Sequence, residues 1–205
     1  MARGAIFTVG HSNRTLAALL AMLGEARVAR LVDVRRYPRS RYNPQFNDRA
    51  LAPALRATGI EYRHAPELGG MRAAPATPSP ASTPANPSPP STPSTPSTLS
   101  INDGWKPGPF RNYADYALTP DFQAALAILE VEAAAGPVAI MCAEKDWRQC
   151  HRQIVTDYLL SRGHTVEHLV SPGTREAALL DKRVVPVDGG RLLYRRPPPS
   201  QHELF

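Results

Sequence analysis

Short apolar runs alternate with amphipathic stretches along the chain, and the two patterns predict different elements. Residues 5–9, 31–34 and 138–142 are apolar enough to form buried strands. Weaker runs at residues 60–64 and 165–170 predict two further strands. The run at 138–142 is apolar at every position, which is typical of a central parallel strand that is covered on both faces.

Helical spacing of apolar residues fills the stretches between these runs. Thr15 is placed to cap a first helix, and Asn47 to cap a second one in which Pro53 predicts a late start or a kink. Thr119 precedes a Pro and an Asp, a typical helix start. A last helix is predicted from about Cys150, after the strand at 138–142.

Strands that alternate with helices imply right-handed crossovers and a parallel sheet. We therefore expect an α/β fold, a Rossmann-like three-layer domain with a mainly parallel sheet. Two apolar stretches around a Gly-Gly turn at residues 184–194 predict a small C-terminal hairpin added at the sheet edge. The expected segments are a first half of the domain (1–72), an insertion (73–102), a second half (103–175), and a hairpin with a tail (176–205).

Composition changes this picture at one place. Nine of the 22 prolines fall between Pro75 and Pro96, and residues 73–102 contain no Lys, Arg, Asp or Glu. Such a segment has too little apolar surface to fold, so we expect a disordered Pro/Ser/Thr-rich insertion. It is either a tolerated loop expansion or a docking segment for another protein.

The chain has no run of about 20 apolar residues and no signal-like N-terminus, so we expect a cytoplasmic protein without membrane partners. Its two cysteines, Cys142 and Cys150, are too few for a secreted disulfide framework. We expect both to be reduced thiols.

The net charge of +6 is unevenly distributed. The first 72 residues hold 12 basic and 5 acidic side chains, and the basic ones are densest at Arg35, Arg36, Arg39 and Arg41. Clustered guanidinium groups favour phosphate. The expected partner is a phosphate-containing small molecule or a nucleic acid, and Arg39 and Arg41 are the candidate nucleic-acid patch.

Polar groups follow three of the predicted strands, at the sheet edge where ligands of open parallel sheets bind. The candidate catalytic residues are His11, Asp33, Glu144, Cys150 and His151. The candidate ligand-binding residues are Ser12, Arg35, Arg36, Lys145 and Arg152. Acid/base catalysis by this set, together with phosphate binding by its cations, is one hypothesis. A buried Asp33 paired with Arg35 or Arg152 is the structural alternative.

Two other kinds of chemistry remain open. Cys142 and Arg148 have the Cys-x5-Arg spacing of phosphatase and sulfurtransferase loops, but acidic residues lie between them. The cysteines, histidines and acids are also metal-ligand types, although their spacing matches no common zinc module. We assign no metal ligands and name no cofactor. Adjacent positions on a helix make Cys150 and His151 diverge, so His151 is expected to pair with His11 or Asp33.

Aromatic residues at positions 105–116 lie beside Lys106 and Arg111. They either stack on bases or pack this segment onto the sheet.

Several motifs together resemble the domain of unknown function 488 family. They are Gly-His-Ser at 10–12, Asp-Val-Arg at 33–35 with the Pro38 to Phe46 stretch, Glu-Leu-Gly-Gly at 67–70, residues 105–116, and Cys-Ala-Glu-Lys-Asp at 142–146 with Cys-His-Arg at 150–152. The resemblance implies a compact α/β domain and marks these motifs as the site. It implies no reaction.

Overall fold

The computed structural model describes residues 5–73 and 100–196, which form an α/β fold around a six-stranded sheet. The strands are β1 (Ile6–Gly10), β2 (Arg30–Asp33), β3 (Glu61–His64), β4 (Val138–Cys142), β5 (Val166–Ser171) and β6 (Thr174–Ala177). Their order is β3-β2-β4-β1-β5-β6, and only β6 is antiparallel to its neighbour. The mainly parallel sheet is confirmed.

Helices cover both faces of this sheet. They are α1 (Leu16–Glu25), α2 (Asp48–Ala57), α3 (Pro109–Tyr116), α4 (Pro120–Ala135) and α5 (Arg152–Ser161). Leu19 of α1 and Leu51 of α2 belong to one buried cluster. Leu126 of α4 and Ile154 of α5 belong to the other. Successive residues of β4 contribute alternately to the two clusters, because side chains alternate along a strand. The three-layer prediction is confirmed.

The helix starts depend on side chains that bind free backbone N–H groups. Thr15 accepts from the N–H of Ala18 at 3.1 Å, and Thr119 accepts from that of Phe122 at 3.5 Å. Asn47 stands at the start of α2 but makes no capping bond, because its side-chain oxygen accepts from the N–H of Ser40 instead. The two threonine caps are therefore confirmed, and the asparagine cap is wrong.

Two helix boundaries differ from the sequence pattern. Helix α2 begins at Asp48 and continues through Pro53, between the fully buried Leu51 and Leu55, so a late start was a wrong expectation. Packing of these leucines offsets the hydrogen bond that the proline removes. Helix α5 begins at Arg152, since Cys150 has extended backbone angles (φ −130°, ψ 142°). Cys150 is therefore not a helical residue.

The C-terminal hairpin, β7 (Val184–Val187) with β8 (Arg191–Tyr194), forms a separate two-stranded sheet. The expectation of a hairpin is confirmed, but its placement at the edge of the main sheet is wrong. Strand β6 occupies that edge beside β5. The hairpin instead packs on the helical layer: the Tyr194 ring is buried, and its hydroxyl donates to Asp157 of α5 at 2.8 Å.

Most of the predicted insertion at 73–102 lies outside the described residues. At its C-terminal end Asn102 is fully buried; its side-chain amide donates to Asp115, and its carbonyl accepts from the N–H of Tyr194. Asn102 is therefore part of the fold.

In the ranges that the structure describes, no helix combines the length and the apolar character that a membrane span needs.

The loops after β1 and β4 are in direct backbone contact. The N–H groups of His11 and Ser12 donate to the carbonyls of Cys142 and Ala143 at 3.0 and 2.8 Å. A Cβ on Gly10 would lie 1.9 Å from the Glu144 carbonyl oxygen. Only glycine allows this approach, which sets the two polar loops side by side.

Replacing this glycine should therefore separate the loops. Gly10→Ala is expected to lower the free energy of unfolding by about 3 kcal/mol or more, the upper end of overpacking costs, because the opposing atom is backbone. Gly24→Ala is the matched control: nothing lies within 4 Å of a Cβ in that helical position, so a gain of about 0.5–1 kcal/mol is expected. Urea unfolding measures both. Equal stability of the two variants would contradict the contact.

The buried Asp157 beside Tyr194 makes stability depend on pH. Burial raises the pKa of Asp157 to about 7, and the N–H of Asp181 and the Tyr194 hydroxyl only partly oppose this rise. Between about pH 4 and 7 the native state therefore binds a proton that the unfolded chain lacks. The contribution is fully present below the unfolded pKa and is lost as pH rises towards 7.

Asp157→Asn should remove this slope, because an amide does not ionise. Its oxygen can accept from the N–H of Asp181, and its NH2 group can donate to the Tyr194 hydroxyl oxygen. Wild-type protein is expected to lose about 2–4 kcal/mol from this group across that range, and the variant to lose none of it. Urea unfolding at half-unit pH steps checks the difference. An unchanged slope in the variant would show that another group is responsible.

Candidate functional site

An open pocket of about 830 Å³ lies at the carboxyl ends of β1, β2 and β4. Every segment that the strand-end argument selected contributes to it. The candidate residues that line it are His11, Ser12, Arg35, Arg36, Arg39, Glu144, Cys150 and His151. The sheet order β2-β4-β1 explains this, since the three strands are neighbours and their loops leave the same edge.

Four reactive side chains form the floor of the pocket. One ligand-type atom from each of Cys142, Glu144, Cys150 and His151 lies within 4.8 Å of the others. The Glu144 carboxylate is 2.7 Å from Cys142 Sγ and 3.3 Å from Cys150 Sγ. Nδ1 of His151 is 3.8 Å from each sulfur. We call these four residues the floor cluster.

The floor cluster differs from the sequence prediction in two ways. Cys150 and His151 were expected to diverge on a helix, but Cys150 is extended and His151 is the residue before α5, so both face Cys142. His151 was expected to pair with His11 or Asp33; instead its ring packs 4.9 Å from that of Tyr113. Cys142 was not among the candidate catalytic residues, although its position at a strand end pointed to this edge.

A glycine creates the space for the imidazole. A Cβ on Gly70 would lie 2.7 Å from His151 Nδ1. The next residue, Met71, has a positive φ of 57°, and Ser12 across the pocket has one of 45°. Such strained backbone in residues with side chains clusters at functional sites, so these positions support the assignment of the pocket.

The two thiols have opposite pKa shifts. The hydrogen bond to Cys150, together with burial, raises the pKa of Cys142 well above its usual value. Burial also acts to raise the pKa of Cys150, but hydrogen bonds from Cys142 and His151 and the charge of Arg152 outweigh it and hold that pKa well below the usual value. Of the two thiols, Cys150 therefore has the lower pKa.

Asp33 and Arg35 form a buried ion pair beneath one wall. Arg35 Nε donates to the carboxylate at 2.8 Å, and a second guanidinium nitrogen donates at 2.5 Å. The Tyr62 hydroxyl donates to the same carboxylate at 2.8 Å. Asp33 is fully buried and does not line the pocket. The structural alternative for Asp33 is the observed one, and a catalytic Asp33 does not fit this placement.

His11 is held as a neutral ring. Its Nδ1 donates to the Ser12 carbonyl at 2.9 Å, so Nε2 accepts from Arg35 at 3.1 Å. Burial, aided by the Arg35 charge, lowers the pKa of His11 to about 4. Both nitrogens are therefore engaged, and His11 orients Arg35 rather than serving as a free base.

Two of the predicted phosphate-binding cations lie elsewhere. Arg152 is buried: it donates from Nε to Cys150 Sγ at 3.2 Å and from another nitrogen to the Glu144 carbonyl at 2.6 Å. Arg152 therefore links two members of the floor cluster, Cys150 and Glu144. Lys145 lines a separate cavity of about 200 Å³. The placement of these two residues in the main pocket was wrong.

The arginine cluster is divided by the pocket. Arg36 and Arg39 line it and are exposed, and neither forms an ion pair with the part of the chain that is described. Arg41 is exposed and is not among the lining residues. Arg39 and Arg41 therefore do not form one surface patch apart from the pocket.

The Cys-x5-Arg spacing does not produce a phosphatase-type loop. Arg148 pairs with Glu176 of β6 at 3.1 Å and lies over the Trp147 ring, beside the smaller cavity. It does not line the pocket that contains Cys142.

The aromatic stretch at 105–116 mostly packs the fold. The Trp105 and Phe110 rings stack at 4.8 Å, and the Tyr116 hydroxyl donates to the Glu67 carbonyl at 2.7 Å. Of its aromatic residues, only Phe110 and the buried Tyr113 line the pocket, next to Pro109.

Of the comparisons with known proteins, only the comparison with protein families finds a match. Neither the curated proteins nor the solved structures include a match to this chain. A family model described as Domain of unknown function DUF488 matches residues 15–85 and 91–159. These segments include the loop after β2, the Gly69-Gly70 turn and the whole floor cluster, and so contain the motifs that suggested the family except Gly-His-Ser at 10–12, which precedes them. The chain belongs to the family described as domain of unknown function DUF488.

Proposed function

We propose that the pocket binds a small phosphate-bearing molecule, with a nucleotide as the class that fits best, and that the floor cluster carries out a reaction on it. The observation that carries the proposal is the position of Arg36 and Arg39, which form no ion pair with any described residue, in the same pocket as four reactive side chains.

The cationic side of the pocket supports an anionic ligand. Asp33 already neutralises Arg35, and buried atoms already satisfy Arg152. Within the described residues, the Arg36 and Arg39 side chains make no hydrogen bond or ion pair, and Arg36 lies only near the Tyr37 ring at 5.9 Å, so both guanidinium groups are available. Arginine suits phosphate because its planar donors bind two oxygens at once.

The size and the apolar surface of the pocket support a nucleotide. A volume of about 830 Å³ is in the usual range for small-molecule sites. Tyr37, which is 65% exposed, and Phe110 line it and offer faces for a planar ring. Asn13 and Asn43 add amide groups that can hydrogen-bond a base or a sugar.

Binding should depend on the two arginines that line the pocket. Arg36→Ala and Arg39→Ala are each expected to weaken binding of a nucleoside monophosphate about tenfold, since each removes a charge-assisted hydrogen bond. Arg41→Ala is the matched control, an exposed arginine in the same loop. It should lower the affinity only slightly, because salt screens the attraction between a distant charge and the ligand. Isothermal titration calorimetry at fixed low salt measures all three.

A different outcome would favour a nucleic-acid-binding module. In that case Arg41→Ala would weaken binding as much as the pocket variants, oligonucleotides would bind better than mononucleotides, and affinity would fall steeply with salt. Absence of binding by any mononucleotide or by inorganic phosphate would overturn the proposal itself.

Turnover of a bound substrate should depend on the floor cluster. Glu144→Gln keeps the shape of the side chain and removes its charge, so it should abolish any reaction found in a panel of nucleotides and phosphoesters. Glu176→Gln is the control, because Glu176 lies on β6 beside the smaller cavity. Chromatographic product analysis reads the result. Equal turnover in both variants would place the chemistry elsewhere.

A further inference from the structure

We propose that the floor cluster is a binding site for one divalent metal ion of the zinc class, held by Cys142, Cys150, His151 and Glu144. The role of that ion in a reaction rests on the proposed function above, whereas the binding of the ion does not.

The geometry of the cluster fits tetrahedral coordination. Zinc–sulfur and zinc–nitrogen bonds of about 2.3 and 2.0–2.1 Å put a sulfur and a nitrogen of one tetrahedral site roughly 3.6 Å apart. His151 Nδ1 lies 3.8 Å from both Cys142 Sγ and Cys150 Sγ. The imidazole nitrogen thus lies close to the separation that one ion requires from each sulfur, and all four donor atoms lie within 4.8 Å of one another.

The fourth donor, Glu144, lies nearer to the sulfurs, at 2.7 and 3.3 Å. A carboxylate oxygen on the same ion would be roughly 3.5 Å from each sulfur, so Glu144 needs to move outward by less than about 1 Å. It is exposed on a loop, whereas both cysteines are buried, and such a shift requires no repacking. Glu144 is therefore the ligand that a substrate oxygen or a water would replace.

The charges of the cluster also call for a cation. Cys142 and Cys150, which bind a metal ion as thiolates, lie beside the Glu144 carboxylate. Among the described residues, Arg152 donates to only one of the two sulfurs, Cys150 Sγ, at 3.2 Å. A divalent ion would neutralise the group, with the Arg152 N–H kept as an outer-shell hydrogen bond to a bound thiolate. Soft sulfur with imidazole selects zinc-class ions over magnesium or calcium.

Rigid neighbours hold the donors in place. Cys142 ends β4, with its carbonyl bound to the N–H of His11, and the His151 ring fits between Gly70 and the Tyr113 ring. Nε2 of His151 is buried without a hydrogen-bond partner in the described chain. Nδ1, which faces the sulfurs, is the nitrogen that is placed to bind an ion.

Cobalt(II) titration of the reduced, metal-free full chain tests the proposal. We expect one ion per chain, with thiolate-to-cobalt charge-transfer absorption and the visible bands of a tetrahedral site. Cys142→Ala and Cys150→Ser each remove one of the two thiolate ligands, so each should lose at least about half of the charge-transfer absorption. Glu144→Gln should weaken binding at least about tenfold, the loss seen even for outer-shell partners, and Glu176→Gln should not.

A second measurement uses the wild-type protein and so does not require that any variant folds. The chain contains only two cysteines, so thiol modification of the native wild-type protein reports on this cluster alone. One equivalent of zinc should protect both thiols from a thiol reagent, and a chelator should restore their reactivity. Thiols that react equally with and without zinc, or cobalt that binds without charge-transfer absorption, would overturn the metal site.

The two proposals fail separately. If cobalt does not bind but a nucleoside monophosphate still binds through Arg36 and Arg39, the metal site is wrong and the pocket assignment stands. If cobalt binds as described and no phosphate compound does, the metal site stands and the proposed ligand is wrong.

Discussion

The site depends on the insertion of β4 between β1 and β2. The chain makes β1, β2 and β3 first and returns 74 positions after His64 to place Val138 at the start of the central strand. Parallel pairing on both sides fixes the register, so that Cys142 lies beside Gly10 and Met141 beside Asp33. Three polar loops therefore leave neighbouring strands at one edge, and the contact of Gly10 with the Glu144 carbonyl brings two of them together.

Charged side chains around the pocket are of two kinds, buried and exposed. Asp33, Arg35 and His11 satisfy one another beneath the wall, and Arg152 joins three elements behind the floor. A buried charge without such partners is very unfavourable, so the hydrogen bonds and ion pairs of these groups are needed for the stability of the fold. Arg36 and Arg39 line the pocket and make no comparable hydrogen bonds to the described residues, which is why they, and not the buried cations, are the proposed ligand contacts.

Sequence reasoning was most successful where the signal was local. The apolar run at 138–142, the Thr15 and Thr119 caps and the strand-end motifs predicted the three-layer fold and the edge where polar residues gather. It was least successful for side-chain partners. Arg152 and Arg36 have the same chemistry in the sequence, but one is buried against Cys150 and the other is exposed in the pocket. Strand β6 was also missed, because its four residues are mostly exposed and form no apolar run.

The sequence by itself determined which elements form and which loops carry reactive residues, because hydrophobic periodicity and capping act over a few neighbouring positions. Only the tertiary structure decided that Cys142, Glu144, Cys150 and His151 meet. An extended backbone at Cys150 turned its thiol towards Cys142, and Gly70, 81 positions before His151, left room for the imidazole. Contacts between residues so far apart depend on the packing of the whole sheet, which no local pattern encodes.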